Sequence, residues 1–443
     1  MATDTSRHLP TPSPVLRKAV VVLLVSLILL IPIGMLRGLV AERIQLAGEA
    51  RSKVAAGWGG QQQVGGPMLV VPLTQITRDN RGRAGEKRVY SITLPDTLEI
   101  DASLESESRR LGIYTVPVYQ ARMRMRAKFT PMDLAHLTAL ADADCEVLWD
   151  QAQLLLPVTE VKAIRALENA RWNDTSLRFV GGGSTQHAGV RATLGTESFE
   201  NGETGVFTAE LTVAGSEQLR FLPLARTTGV MMRADWPHPG FTGSYLPAER
   251  DITDDGFTAR WQVLELNRDY PQHWIEEPDV SQVQLGRSAF GVNLFLPADI
   301  YQRNDRSTKY ALLFIVMTFA SLFLVEHLLG PPLHAVQYAL VGLALSIFFL
   351  LLLALSEHIG FDAAYWLATT ALVALTGTYL GGALKSRARG WAAAAGFTAL
   401  YGMLFIILNA AESALLIGAL SLFAVLAAMM LITRKVDWNA MGR

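Results

Sequence analysis

Residues 19–36 read AVVVLLVSLILLIPIGML, a run without a charge, preceded by Arg17 and Lys18 and followed by Arg37. At about 1.5 Å rise per residue, such a helix is roughly 27 Å long, enough to cross the hydrocarbon core of a thin bilayer. A cleaved signal peptide is the competing reading. Its apolar core is usually about 7–15 residues long and is followed by a small-x-small cleavage site, which this stretch lacks. The run therefore predicts an uncleaved membrane anchor with Pro32 inside it.

The rest of the chain is uneven in the same sense. Of 443 residues, 50% are hydrophobic and 18% charged, with a mean hydropathy of +0.26. Residues 38–308 hold 28 of the 39 Lys and Arg and 34 of the 40 Asp and Glu, so this section is net −6 within a chain of net −1. A polar middle between apolar ends excludes a simple soluble enzyme and a uniformly polytopic transporter. The near-neutral total excludes a general nucleic-acid binder. Cys145 is the only cysteine, which rules out an intrachain disulfide and a cysteine-based zinc site.

Five further apolar stretches follow Lys309: Tyr310–Leu329, Val336–Leu355, Ala363–Leu384, Trp391–Asn409 and Ala414–Ile432. The positive-inside rule tests a six-span arrangement. Arg7, Arg17 and Lys18 place the N-terminus (residues 1–18) in the cytoplasm, and Arg434, Lys435 and Arg443 place the tail (433–443) there too. The KSRARG loop, Lys385–Gly390, carries three cations on the same side. The outward loops Ser356–Asp362 and Ala410–Ser413 carry Glu357, Asp362 and Glu412 and no Lys or Arg. The expected fold class is a polytopic α-helical membrane protein of six spans. An anchor (19–36) and a five-helix bundle (309–432) flank a large β-rich, α+β extracytoplasmic domain (37–308), periplasmic in a host with two membranes.

Within that domain, Leu39, Ile44, Leu46, Ala47, Ala50 and Val54 continue the first helix as a stalk to about Ala56. Beyond Gly59, Pro67–Ile76, Arg88–Leu94, Gly205–Ala214, Phe257–Leu266 and Val280–Leu296 read as strands. Helical interruptions are expected at Pro131–Leu140 and Val161–Asn169, with a subdomain split near Gly181–Gly183. One strand is plain. Ala121, Met123, Met125, Ala127 and Phe129 alternate with Arg122, Arg124, Arg126 and Lys128, the period-2 pattern of a half-buried strand. Its row of cations reads first as a solvated face paired with carboxylates, and second as a contact for anionic lipid or cell-wall polymer.

Chemical motifs are scarce. P-loop, GxSxG, HExxH and CxxC patterns are absent. Glu326, His327 and His334 form a conceivable local metal group, although polar residues at span ends more often reach for water. Gly377-x-x-x-Gly381 marks a close-packing helix face, and Thr376 and Asn409 read as interhelical hydrogen-bonding groups. Trp236, Trp261 and Trp274 read as core rather than cation cages, and Trp236-Pro237-His238-Pro239 reads as a rigid turn.

Long strings carry a resemblance. They include Gly66–Pro72 (GPMLVVP), Arg110–Tyr119 (RLGIYTVPVY), GSEQLRFLPLARTTGVMMRADWPHPGFTGSYLP from Gly215, Leu266-Asn267-Arg268, Pro271–Trp274, Phe290–Tyr310 (FGVNLFLPADIYQRNDRSTKY) and Leu355–Ile359. On these the chain resembles the inner-membrane protein CreD family, also described as cell envelope integrity proteins. It departs at Thr159–Ala166 (TEVKAIRA), where a Ser-Asp-x-Arg-Gly-like segment is usual, and at Ala335, where Pro tends to follow His334. The resemblance implies an inner-membrane protein tied to envelope integrity, regulated in some bacteria with a system responding to cell-wall stress and β-lactams. It supplies no catalytic residue.

The expected function is a non-enzymatic envelope factor acting through its outer domain. Its partners would be the lipid bilayer and envelope proteins, cell-wall polymer or anionic lipid, with no cofactor and no nucleic acid. The alternative is a transporter or enzyme working through the five-helix bundle. Positions of unassigned role are Trp236, Pro237, His238, Asn267, Arg268, Glu357 and His358, and the last two are expected where bundle and outer domain meet.

Overall fold

The computed structural model describes residues 14–78, 84–130, 145–182, 188–196, 204–275, 282–294, 300–329, 333–410 and 414–434. It opens with the long helix α1 (Pro14–Trp58). Strands follow in order: β1 (Gln62–Gly65), β2 (Met68–Arg78), β3 (Ala84–Thr93), β4 (Thr97–Leu111), β5 (Tyr114–Phe129), β6 (Cys145–Val147), β7 (Gln153–Pro157) and β8 (Ile164–Trp172). Next come β9 (Thr175–Ser176), β10 (Val180–Gly181), β11 (Gly189–Thr193), β12 (Gly205–Ser216), β13 (Gln218–Leu222), β14 (Thr227–Ala234) and β15 (Pro239–Gly243). Then follow β16 (Glu249–Thr253), β17 (Gly256–Leu264), β18 (His273–Ile275), the short helix α2 (Gln282–Arg287) and β19 (Phe290–Leu294). The chain ends in helices α3 (Ile300–Lys309), α4 (Ala311–Leu329), α5 (Ala335–Ile359), α6 (Phe361–Ala383), α7 (Arg387–Asn409) and α8 (Ala414–Thr433).

Contacts divide the chain into a helical unit, Met1–Ala47 with Ala298–Arg443, and a β unit, Gly48–Pro297. The helical unit thus takes in residues 38–47 and 298–308, which the hydropathy reading assigns to the outer insert. Among the described residues four helices are long and apolar enough to cross a membrane: Val20–Trp58, Ala335–Ile359, Phe361–Ala383 and Arg387–Asn409. A shorter apolar run, Ala311–Phe323, lies within α4.

Among the described residues the β unit contains three sheets. An eight-stranded sheet runs β16-β17-β14-β4-β5-β12-β8-β9, a seven-stranded one β10-β11-β7-β2-β3-β18 with β6 beside β2, and a four-stranded one β1-β13-β19-β15. Alternation decides which face of each strand is buried. On β5, Ala121, Met123, Met125, Ala127 and Phe129 are buried while Arg122, Arg124, Arg126 and Lys128 are exposed. The buried set joins Leu69 and Val71 of β2, Leu154 and Leu156 of β7, and Phe290 and Val292 of β19 in one core. Met68 and Val70 face a second cluster with Ile92, Tyr270 and Trp274. The first half of β2 is therefore covered on both faces, which explains why Met68–Leu73 is continuously apolar instead of alternating. Trp261 and Trp274 are core, 1% and 6% exposed, and burying a large apolar side chain contributes about 1.5–3 kcal/mol.

Three local expectations need correction. Val161–Asn169 is a 3-10 turn (Val161–Ala163) leading into β8, which pairs with β12. Ala, Leu and Glu favour helix locally, but the ladder to β12 overrides that preference. The register shift between Thr208 and Glu210 sits opposite Asn169, whose φ of 53° is typical of a bulge. Val280–Leu296 is not one strand, because α2 precedes β19. No subdomain boundary falls near Gly181–Gly183, since β7–β11 and β8–β12 pair across it. Pro131–Leu140 lies outside the described residues.

In the helical unit, the Gly377–Gly381 face meets α7. A Cβ placed on Gly390 would fall 2.6 Å from Gly381 Cα and 2.8 Å from Gly377 O, so the two backbones touch where side chains are missing. Elsewhere in the core of this unit, Phe314, Phe348, Phe349, Tyr365 and Tyr401 pack edge-on. Thr376 does not bridge helices; its hydroxyl donates to Leu372 O of its own helix.

Candidate functional site

Three structural places hold the candidate residues. Trp236, Pro237 and His238 form the connector between β14 and β15, where the chain passes from the eight-stranded to the four-stranded sheet. Trp236 is half-buried and packs against the main core, while His238 is exposed. Just before them the Asp235 carboxylate accepts the Ser106 N–H at 2.8 Å and fixes the connector to β4.

Asn267 and Arg268 follow β17, at the end of the 3-10 turn Glu265–Asn267, and form a clasp. Asn267 Oδ1 accepts the Leu264 N–H at 3.0 Å, and its carbonyl accepts the Tyr245 hydroxyl. The half-buried Arg268 guanidinium donates to Tyr270 O and Pro271 O at 3.3 and 3.2 Å and to Gln272 Oε1. Gln272 in turn donates to Leu94 O and Pro95 O, both at 2.8 Å. Burial lowers the Arg268 pKa, and the Tyr270 ring and nearby Glu265 oppose that. Burial also pushes the Tyr270 phenol up to about 12. Both terminal nitrogens of this guanidinium thus donate to the chain itself, while the buried Nε has no partner among the described residues. The pair orders the link to β18 and offers no reactive group.

Glu357 lies in the helical unit at the end of α5. Its carboxylate, with a side chain 10% exposed, is 3.4 Å from Arg43 Nε of α1 and accepts the Tyr301 hydroxyl of α3 at 3.4 Å. Around it, buried Asn304 donates to Ser356 Oγ at 2.8 Å and Arg303 pairs with Asp362 at 2.8 Å. Arg37 donates to Thr308 O and Lys309 O, capping the last turn of α3 with positive charge. Helix α3 is thus held by α1 on one side and by α5 and α6 on the other. His358 is exposed and lies outside this network, because adjacent helical residues point about 100° apart.

Glu326 accepts the Tyr338 hydroxyl at 2.9 Å, and the His334 N–H donates to Gln337 Oε1 at 2.8 Å at the start of α5. The side chain of His327 lies outside the described residues. Among the described residues no three His, Cys, Asp or Glu converge as metal ligands.

Sequence reading missed the Trp58 junction, where the last residue of α1 enters the β unit. Its ring lies 3.7 Å from the Arg109 guanidinium and 4.9 Å from that of Arg165, and its Nε1–H donates to Tyr119 O at 3.2 Å. Arg165 also donates to Trp58 O at 3.0 Å. The only sequence signal was Trp58 at the end of an amphipathic helix, since Arg109 and Arg165 are remote in the chain.

On the eight-stranded sheet, Arg124 of β5 lies between Asp101 of β4 and Glu210 of β12, with its Nε 3.9 Å from the Glu210 carboxylate. Arg126 lies opposite Glu99 and Thr208. The solvated, carboxylate-interleaved reading of this face fits its centre. Arg122, opposite Ser103 and Thr212, and Lys128, opposite Thr97 and Val206, have no carboxylate directly across the sheet.

The chain, a β unit inserted in sequence between apolar helices, matches known proteins along nearly its whole length. The family model described as "Inner membrane protein CreD" matches residues 14–439. Inner membrane protein CreD of Escherichia coli strain K12 is 32% identical over 423 residues, which span 94% of this chain and 91% of that protein. The chain belongs to the inner membrane protein CreD family.

Proposed function

We propose that this chain is a six-span bacterial inner-membrane protein with both termini in the cytoplasm and its β unit in the periplasm. It serves envelope integrity under cell-wall stress as a non-enzymatic factor. The observation that carries the reading is the insertion of a folded β unit, with a broad charged solvent face, between the first apolar helix and all the others. A single span already anchors a domain irreversibly. The remaining helices then stabilise the α3 junction around Glu357, and the charge pattern of the short loops sets the orientation.

Topology is testable because the chain has one cysteine. In a Cys145→Ser background, an impermeant maleimide should label His238→Cys from the periplasm. Ser386→Cys should react only after the inner membrane is opened. Activity is tested by dye entry into a deletion strain under β-lactam stress, comparing the full chain with residues 1–297 at equal expression and fold. Rescue by residues 1–297 supports an outer-domain factor. Rescue by the full chain alone would move the activity into the helical bundle and replace this reading with a transporter or enzyme.

A further inference from the structure

The exposed face of the eight-stranded sheet is not uniform. Around Gly229 of β14, the cross-strand row runs Arg126, Glu99, Gly229, Gln262. Gly229 sits in a strand interior, where glycine costs stability, yet no crowding requires it. A Cβ there would meet nothing closer than Leu98 O at 4.0 Å. The missing side chain leaves the floor of a trough of about 600 Å³. Four arginines (124, 126, 233 and 260) and two carboxylates (Glu99 and Asp101) line it, an excess of two positive charges in a section that is net negative. An interior strand glycine with open space above it marks a place for close approach by another molecule.

Beside it, sharing Arg233, lies a second hollow of about 360 Å³. Its lining carries Glu105, Asp235, Asp251 and Asp255 against Arg233. Some of these charges are used within the fold. Arg233 pairs with Asp101 at 2.9 Å, Arg124 approaches Glu210, and Asp235 holds Ser106 N. Among the described residues Arg126 and Arg260 make no ion pair, and neither do Asp251 and Asp255. Glu99 stays among the cations of the first hollow and Glu249 stands across from Arg260, so the ends differ in net charge: cations are in excess around Arg126 and Arg260, and carboxylates around Asp251 and Asp255. Asp251 lies opposite Thr258, two residues along β17 from Arg260, and Asp255 directly precedes Gly256, which is four residues or about 13 Å from Arg260. Threonines 97, 227 and 258 and Gln262 lie between and beside them as hydrogen-bonding groups.

We propose that this double trough binds an extended, dipolar peptide segment of about four residues, with its carboxylate toward Arg126 and Arg260 and its ammonium or guanidinium toward Asp251 and Asp255. Charge complementarity selects this occupant. A polyanion or an anionic lipid surface would meet the acidic end unfavourably, and a polycation would meet the arginines. An extended backbone matches both the spacing and the hydroxyl and amide groups along the floor. The inference stands on the sheet face alone and holds whichever side of the membrane the β unit occupies.

The test uses the full chain in nanodiscs and fluorescence polarisation at low salt. The probe is a fluorescein-labelled Glu-Gly-Gly-Lys peptide amide, with variants in which Gln replaces Glu or Lys. Binding of the dipolar probe should be about tenfold tighter than that of either single-charge probe. It should fall about tenfold in Arg126→Glu/Arg260→Glu and in Asp251→Asn/Asp255→Asn. Gly229→Leu should reduce it by a similar factor, with the unfolding temperature unchanged, because it fills the floor without altering charge. Equal affinity for all three probes, or a Gly229→Leu variant that binds normally, would overturn the proposal. So would saturable binding only to phosphatidylglycerol vesicles, abolished by Arg126→Glu/Arg260→Glu.

Discussion

In the β unit, the cations of β5 stand in a row on a solvated face, and among the described residues only Arg124 of that row forms an ion pair, with Glu210 at 3.9 Å. In the helical unit, Arg43, 36% exposed, lies against a Glu357 side chain that is only 10% exposed. The two arrangements use the same residue types under different solvation. Charges that water already solvates need no fixed partner, whereas a carboxylate taken largely out of water depends on the groups that face it. The glycines differ in the same way. Gly229 opens space on a sheet, and Gly390 lets two helix backbones touch.

The largest expected effect comes from Gly390→Leu. The new side chain meets backbone at Gly381 and Gly377 rather than a flexible side chain, so α6 and α7 must separate. Unfolding in detergent should show a loss of about 3 kcal/mol. Gly229→Leu should stay within about 0.5 kcal/mol of the parent. A similar loss at both glycines would erase the contrast between the two units.

Next in size is the clasp that follows β17. Arg268→Met leaves the Tyr270 and Pro271 carbonyls and Gln272 Oε1 without their donor and should cost the β unit about 2 kcal/mol on thermal unfolding. Arg268→Lys should rescue little, because one ammonium cannot reproduce the planar fork. Alkali tests the same cluster. The Tyr270 phenol titrates near 12 when folded, against about 10 in an unfolded chain. Its contribution is therefore complete below pH 10 and is lost as pH rises from about 10 to about 12. Tyr270→Phe should flatten the fall in stability across that window.

The coarse plan was readable because its signals are local. Uncharged runs mark helices, and the alternation from Ala121 to Phe129 marks both faces of β5. The Gly377–Gly381 spacing marked a contact that the structure places against Gly390. What could not be read depends on residues far apart in the chain. β8 is a strand because β12 lies beside it, Trp58 is held by Arg109 and Arg165, and Glu357 is partnered from α1 and α3. The trough is unreadable for the same reason, since its charges come from β4, β5, β14, β16 and β17, from the connector after β14 and from the turn before β17, and only the registers bring them together.

The junction around Glu357 should respond at about 1–2 kcal/mol. Arg43→Met removes the cation and leaves the carboxylate facing the Tyr301 hydroxyl alone. Glu357→Gln keeps an acceptor for Tyr301 and removes the charge that needed Arg43. Arg43→Met should therefore be the more damaging single change, and the double variant should lie near Glu357→Gln alone. Additive losses in a double-mutant cycle would show that the two side chains are not coupled.

The smallest effect is expected where the sheet is most highly charged. Arg122 faces Ser103 and Thr212, and Lys128 faces Thr97 and Val206, so neither has a carboxylate directly across from it. Replacing either with Gln removes a solvated charge and leaves the buried Met123, Met125 and Ala127 beneath unchanged. The unfolding free energy should move by less than about 0.5 kcal/mol and be nearly insensitive to salt. A loss as large as that of Arg43→Met would mean that these cations hold the fold through partners beyond their strand neighbours. Unchanged stability would separate the charge pattern of β5 from folding and leave its use to whatever the face binds.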